Sequence, residues 1–155
     1  MTHPTITKLA RSRERLLALV SGLSEDALDQ CLPGGWTIRT VLTHLLNTEE
    51  DHCQISATIA SGEIERLPPT IDIDAYNAER LAARGHLTRD ALFAELAVQR
   101  ERTIALFNRL TEDQLARSGP HPALGEMTAG NIFRVIAMHE QMHTRDIAAL
   151  LDSAS

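Results

Sequence analysis

Aromatic residues are nearly missing from this chain: one Trp, one Tyr and three Phe make up 3% of its 155 residues. Leu, Ile, Val and Ala must therefore fill the core. Cysteine is equally scarce, and Cys31 and Cys53 cannot build a disulfide framework. There is no Lys/Arg tract, and the formal net charge of −6 argues against a nucleic-acid partner. No signal peptide is recognisable and no apolar run approaches about 18 residues, so the expectation is a cytoplasmic protein without a membrane span. Convincing β alternation is also lacking. What is present is a hydrophobic fraction of 43%, ordinary for a globular protein, in a length suited to one domain over residues 1–155.

The apolar residues fall at helical spacing in five segments. The first runs from Thr5 to Ser21, with Ile6, Leu9, Leu16, Leu17 and Val20 on one stripe and Gly22 at its end. The second opens at Thr37, a candidate N-cap, and runs to about Ala60. Its stripe is Ile38, Val41, Leu42, Leu45 and Leu46, then Ile55 and Ile59. A loop with Pro68-Pro69 leads to a short helix from Asp74 to about Arg84. The fourth segment spans Thr88 to Leu110. A Gly/Pro-rich loop, Ser118 to Gly125, precedes the last helix, Thr128 to Leu151. The pattern predicts an all-α protein with four long helices.

A weak internal repeat agrees. Leu23-Ser24-Glu25-Asp26-Ala27-Leu28 resembles Leu110-Thr111-Glu112-Asp113-Gln114-Leu115, with Ser24 and Thr111 placed to cap short turns. Each copy follows a long helix and precedes a Thr-capped helix that carries histidine. The chain thus reads as two helical hairpins joined by the segment from Ser61 to Leu87. Antiparallel neighbours need only about 2–8 linking residues, so a link this long can make the second and third long helices parallel.

The last helix contains His139-Glu140-Gln141-Met142-His143. At about 100° per residue both imidazoles fall in the middle of the apolar stripe formed by Ile132, Val135, Ile136, Ile147 and Leu150. A buried imidazole needs a hydrogen-bond partner or a metal, and two at i, i+4 are preset to share one cation. Scattered at random, seven histidines give roughly 0.3 such pairs, so placement on the stripe carries more weight than the pair itself. Either pair member could equally be a hydrogen-bonded core histidine.

A third ligand must come from another helix. His44 lies seven residues after Thr37, and His143 lies fifteen after Thr128. In antiparallel helices of about 24 residues these positions are level. His44 sits at the edge of its apolar arc, and His52 fits the early stripe better, which makes His52 a rival ligand or a residue that supports one.

Pro33-Gly34-Gly35-Trp36-Thr37-Ile38-Arg39-Thr40-Val41-Leu42-Thr43-His44-Leu45 resembles the second-helix signature of the DinB-like metalloenzyme superfamily. That superfamily is also called YfiT-like or mycothiol-dependent maleylpyruvate isomerase-like. Asp74-Ala75-Tyr76-Asn77 is similar to its central segment. Gly119-Pro120-His121-Pro122-Ala123-Leu124-Gly125, and His139 to His143 with Asp146-Ile147, are similar to its C-terminal part. The resemblance spans nearly the whole chain. It implies an up-down-down-up four-helix bundle, a divalent metal on His44, His139 and His143, and a homodimer. Members with assigned activity mostly transfer or isomerise using a low-molecular-weight thiol.

Three neutral imidazoles leave a metal its full charge and an open position, the pattern of catalytic sites. Water beside it has its pKa lowered towards about 7, and a thiol can bind as thiolate. Zinc is the first expectation; imidazole also accommodates nickel, iron or manganese. The expected activity is transfer of a small thiol to a small-molecule substrate, or hydrolysis of that substrate. Glu140 or Asp146 would assist proton transfer or orient a ligand. Asp146, i+3 from His143 and inside the stripe on the helical count, is the better placed, with an ion pair as its alternative. The rival reading is a non-catalytic metal-binding or ligand-sensing bundle. A literal H-E-x-x-H also suggests a zincin protease, but only twelve residues follow His143 and no strand is apparent to hold a peptide. Trp36 is expected to staple the helix start, His121 to be exposed in its loop, and Cys53 to lie across the helix from His44.

Overall fold

Thr37, Thr88, Thr111 and Thr128 stand in extended backbone, and each side chain accepts a hydrogen bond from the N–H three residues on. These caps satisfy donors that the first helical turn leaves free. They start four of the six α-helices in the computed structural model, which describes residues 1–155. The helices are α1 (Pro4–Val20), α2 (Ile38–Ser61), α3 (Ile73–Arg84), α4 (Arg89–Arg109), α5 (Glu112–Ala116) and α6 (Ala129–Ser153). Gly62, at φ +81°, ends α2 in the left-handed conformation that glycine adopts without strain.

Side-chain contacts define the directions of the four long helices. Ser56 reaches the carbonyl of Ala129 while His44 meets His139, so α2 and α6 are antiparallel. Arg39 reaches the carbonyl of Leu87, and Glu49 holds Arg100, so α2 and α4 are parallel. Arg13 bonds the Leu96 carbonyl and Arg100 the Leu9 carbonyl, so α1 opposes α4. The result is the expected up-down-down-up four-helix bundle. The crossover carries α3, which Arg80 and Arg84 fasten to α2 through Glu50, Asp51 and Asn47.

The apolar core is continuous at one end of the bundle. There Leu16, Leu42, Leu46, Leu92, Leu96 and Ile147 belong to a cluster of 12 buried residues. Smaller clusters form around Phe107 and Phe133, and around Ile59 and Ile132. Between them lies a band of buried polar side chains, in which Arg13, Glu49, Arg100 and Glu140 sit beside the histidines.

Two short connectors match the repeat. Ser24 Oγ accepts from the Ala27 N–H, and Thr111 forms a reciprocal capping box with Gln114. The loop from Ser118 to Gly125 departs from expectation. It contains a two-stranded hairpin, β1 (Ser118–His121) against β2 (Gly125–Thr128), with Ser118 opposite Thr128 and His121 opposite Gly125. Four-residue strands carrying Gly119 and Pro120 are too short for a period of two to be read. The close approach of the hairpin to α2 needs Gly119. A Cβ there would stand 2.9 Å from Ile59 Cγ1 and 3.1 Å from Ile64 Cγ2.

Candidate metal centre

His139 and His143 are one turn apart on α6, and His44 faces them from α2. His139 Nε2 lies 3.1 Å from His44 Nε2 and 3.1 Å from His143 Nε2. One ligand nitrogen from each residue falls within 4.8 Å of the others. A neutral imidazole has one N–H, which cannot serve two facing nitrogens well, whereas a cation accepts three lone pairs at once. Ligand distances of about 2.0–2.1 Å to zinc suit nitrogens this close together. The donor set therefore fits a divalent metal.

The surroundings favour neutral rings. Burial, with His143 and His52 nearby, lowers the pKa of His44 to about 4. Burial and the same kind of neighbours lower that of His139 to about 3. These rings keep their lone pairs at neutral pH, as ligation requires. The outer nitrogens are partly supported. His139 Nδ1 is 3.4 Å from the Thr48 hydroxyl, and His143 Nδ1 is 3.9 Å from Asp146 Oδ2. Trp36 does more than staple the helix start, since its ring lies tilted against His44 at 4.9 Å between centroids.

The two carboxylates singled out in the sequence part company. Asp146 stays beside His143, but its side chain is 59% exposed, so it lies at the rim and not inside the stripe. Glu140 is 1% exposed. Its oxygens accept from Ser12 Oγ at 2.6 Å, Arg13 Nε at 2.6 Å and Arg100 Nη2 at 3.0 Å. Both oxygens of Glu140 are thus engaged by side chains of α1 and α4. Glu49 completes the group, 2.6 Å from Arg13 and 2.7 Å from Arg100. Two arginines and two glutamates balance in charge. Burial raises the pKa of Glu49, but the neighbouring Arg100 and Arg13 outweigh it and hold the carboxyl below its usual range.

A cavity of about 240 Å³ opens beside the triad, lined by His44, Thr48, His52 and His139 among others. His44, Thr48 and His52 recur every four residues, so one face of α2 forms this wall. His52 is not brought to the triad: its Nδ1 donates to the Thr48 carbonyl at 2.7 Å, and its ring lies tilted against His121 with centroids 5.1 Å apart. His121 is not exposed, as its loop position suggests, but 6% accessible and part of the cavity wall. Hairpin β1–β2 folds it back over α2.

Residues 8–147 match the DinB superfamily. The chain belongs to that superfamily. A relative from Oceanobacillus iheyensis, assigned by inference as a metal-dependent hydrolase, is 25% identical over 99% of this chain and 87% of its own length. The bundle is similar to YfiT from Bacillus subtilis, described by inference as a metal-dependent hydrolase with an unusual four-helix bundle topology. That match has a TM-score of 0.78 and 24% identity, covering 97% of this chain and 85% of YfiT. It is also similar to the mycothiol-dependent maleylpyruvate isomerase, with a TM-score of 0.78 and 18% identity, over 92% of this chain and 59% of that enzyme. At these identities the two structural likenesses speak to the fold alone.

Within this DinB bundle, sequence reasoning brought together the three histidines but missed Arg13, Glu49 and Arg100. A signal existed. Arg13 lies between Leu9 and Leu16 at helical spacing, Glu49 follows Leu45 by four, and Arg100 follows Leu96 by four. Each charge therefore falls on a stripe that faces the core.

Proposed function

We propose that this protein is a divalent-metal-dependent enzyme of the DinB superfamily that transfers a small thiol to, or hydrolyses, a small-molecule substrate. The metal ligands are His44, His139 and His143. The observation that carries the proposal is the convergence of three imidazole nitrogens beside a cavity that His44 and His139 themselves line. A structural site would be closed by its protein ligands, whereas three histidines leave a position free for a reactant. With a divalent cation held there, the site supplies a nucleophile of low pKa, drawn from water or from a thiol.

The chain's own residues prepare that site. Thr48 faces the outer nitrogen of His139 and fixes which ring nitrogen carries the proton. Asp146, at the rim, sets its negative charge 3.9 Å from the outer nitrogen of His143. The buried arginine–glutamate group holds α1, α4 and α6 in register, so the i, i+4 pair keeps its orientation. Zinc is the proposed metal, with nickel, iron or manganese as substitutes the donor set tolerates.

A cytoplasmic location and a homodimer belong to the same proposal. No helix is long and apolar enough to cross a membrane. A solution mass of two chains is the expected result for the dimer.

The test of activity is to load the purified protein with zinc or nickel and incubate it with small thiols and electrophiles, following loss of free thiol and release of hydrolysis products. Turnover that disappears in His143→Ala supports the reading. Turnover equal in the variant, or absent with every loaded metal, contradicts it.

A further inference from the structure

His121 holds the one imidazole nitrogen that is buried without a partner. Its Nδ1 accepts two backbone hydrogen bonds, from Ala123 N at 3.1 Å and Leu124 N at 3.2 Å. Two donors aimed at Nδ1 leave no place for a proton there, so the ring is neutral and its hydrogen is on Nε2. That N–H has no acceptor in the protein and no accessible surface, so a ligand acceptor reaches it only as the ring shifts towards the cavity it lines. A buried donor left unpaired costs about 1–3 kcal/mol, which a ligand acceptor recovers.

The adjoining ring is complementary. His52 Nδ1 faces the Thr48 carbonyl, which can only accept, so Nδ1 carries the hydrogen and Nε2 presents a lone pair. The two rings, tilted against each other beside the cavity, thus carry one donor and one acceptor. An amide has the matching pair, an oxygen that accepts and an N–H that donates. A carboxylate does not: it would set its lone pairs against His52. At this end it would also find no cation, because neither lysine nor arginine lines the cavity. The one acidic residue on the wall, Asp51, is occupied by the Tyr76 hydroxyl at 3.1 Å and Arg80 Nε at 3.2 Å. The remaining wall is largely apolar, with Ile55, Ile71 and Leu124 facing the space.

Distance completes the argument. His44 and His52 are eight residues apart on α2, about 12 Å along the axis at 1.5 Å per residue. We propose that the cavity takes an elongated, uncharged substrate with a carbonyl of the amide class at its far end, bound by the Nε2–H of His121 and the Nε2 of His52. The near end reaches the triad. This rests on the function proposed above for what happens at the triad, but the binding of the far end does not require a metal.

The test measures binding of heptanamide and heptanoate by calorimetry, to metal-free and to zinc-treated protein. Two variants separate the roles of the ring. His121→Asn keeps an acceptor for the Ala123 and Leu124 N–H groups and removes the Nε2 donor; His121→Gln places an N–H near the Nε2 position. Heptanamide is expected to bind the metal-free protein about tenfold or more tighter than heptanoate, to lose roughly tenfold in His121→Asn and to recover in His121→Gln. Equal binding of the two probes, or a His121→Asn variant that binds heptanamide like the parent, overturns the proposal. If His121→Asn does not fold, the amide-over-carboxylate preference of the parent and its retention in His121→Gln decide. The amide preference without any metal uptake upholds this proposal and defeats the metal-dependent function; metal uptake without the preference does the reverse.

Discussion

Glu140 stands between His139 and His143 in the chain, yet its carboxylate lies 2.6 Å from Arg13 Nε on α1, in a site closed to solvent. An H-E-x-x-H pattern on a helix invites a catalytic role for its glutamate. Here that glutamate is a buried counter-ion. Replacing Glu140 with Leu leaves Arg13 and Arg100 short of one partner, and the loss of a buried partner costs about 3–5 kcal/mol. Urea unfolding of Glu140→Leu should show that loss. The folded fraction should still bind metal, because Glu140 touches no triad nitrogen and Glu49 still bridges Arg13 and Arg100. A variant as stable as the parent contradicts the structural role.

Gly119 lies in β1, two residues before His121 of the cavity wall. A Cβ at this position meets two side-chain carbons of Ile59 and Ile64 at 2.9 Å and 3.1 Å. Overpacking of this kind typically costs about 1–3 kcal/mol. Gly119→Ala should lower the midpoint of thermal unfolding and weaken heptanamide binding, since β1 carries His121. Unchanged stability and binding would show that the hairpin does not pack as described.

The two cysteines should differ in reactivity. Burial pushes the Cys53 thiol up to about 11, and Thr103 Oγ1 lies 3.3 Å from its sulfur. Cys31 is exposed. Iodoacetamide at pH 8 should modify Cys31 and spare Cys53 in the folded protein, as read by peptide mass spectrometry. Modification of Cys53 at a comparable rate would contradict its burial.

Acid should destabilise the metal-free protein in a window set by the histidines. An ordinary imidazole titrates near 6.5, whereas burial, first among the causes, lowers His44 and His121 to about 4 and His139 to about 3. Between these values the unfolded chain binds more protons than the folded one, so stability falls as pH falls. The unfolding free energy should be fully present above pH 6.5 and decline towards pH 4, before most carboxylates titrate. His121→Asn should make the decline shallower. A flat profile from pH 7 to pH 5 would contradict the burial of these rings as neutral species.

How much of this was legible in the sequence follows from the range of each interaction. His139 and His143 are related by one helical turn, and periodicity alone places them on a common face. His44 is 95 residues from His139 and farther from His143, but two capped helices of nearly equal length make a ruler, and the antiparallel reading sets it beside His143. The buried arginines and glutamates were missed because their partners lie 36 to 127 residues away, and no local rule pairs Arg13 with Glu49 or Glu140. His121 was misjudged for a related reason. Its segment reads as a loop, and only the tertiary return of the β1–β2 hairpin onto α2 sets it against His52. Asp146 shows the limit of helical wheels. It falls inside the stripe by angle, yet it is exposed while Ile147 beside it is fully buried.

The central claim is that His44, His139 and His143 bind one divalent metal. The most direct test is elemental mass spectrometry on protein purified without a histidine tag, beside His44→Ala, His139→Ala and His143→Ala. The account predicts about one equivalent of zinc or a related metal per chain, strongly reduced in each variant while circular dichroism still reports a helical fold. No metal in the parent, and none retained after incubation with zinc or nickel, would contradict it and leave the three histidines as polar residues of the bundle interior.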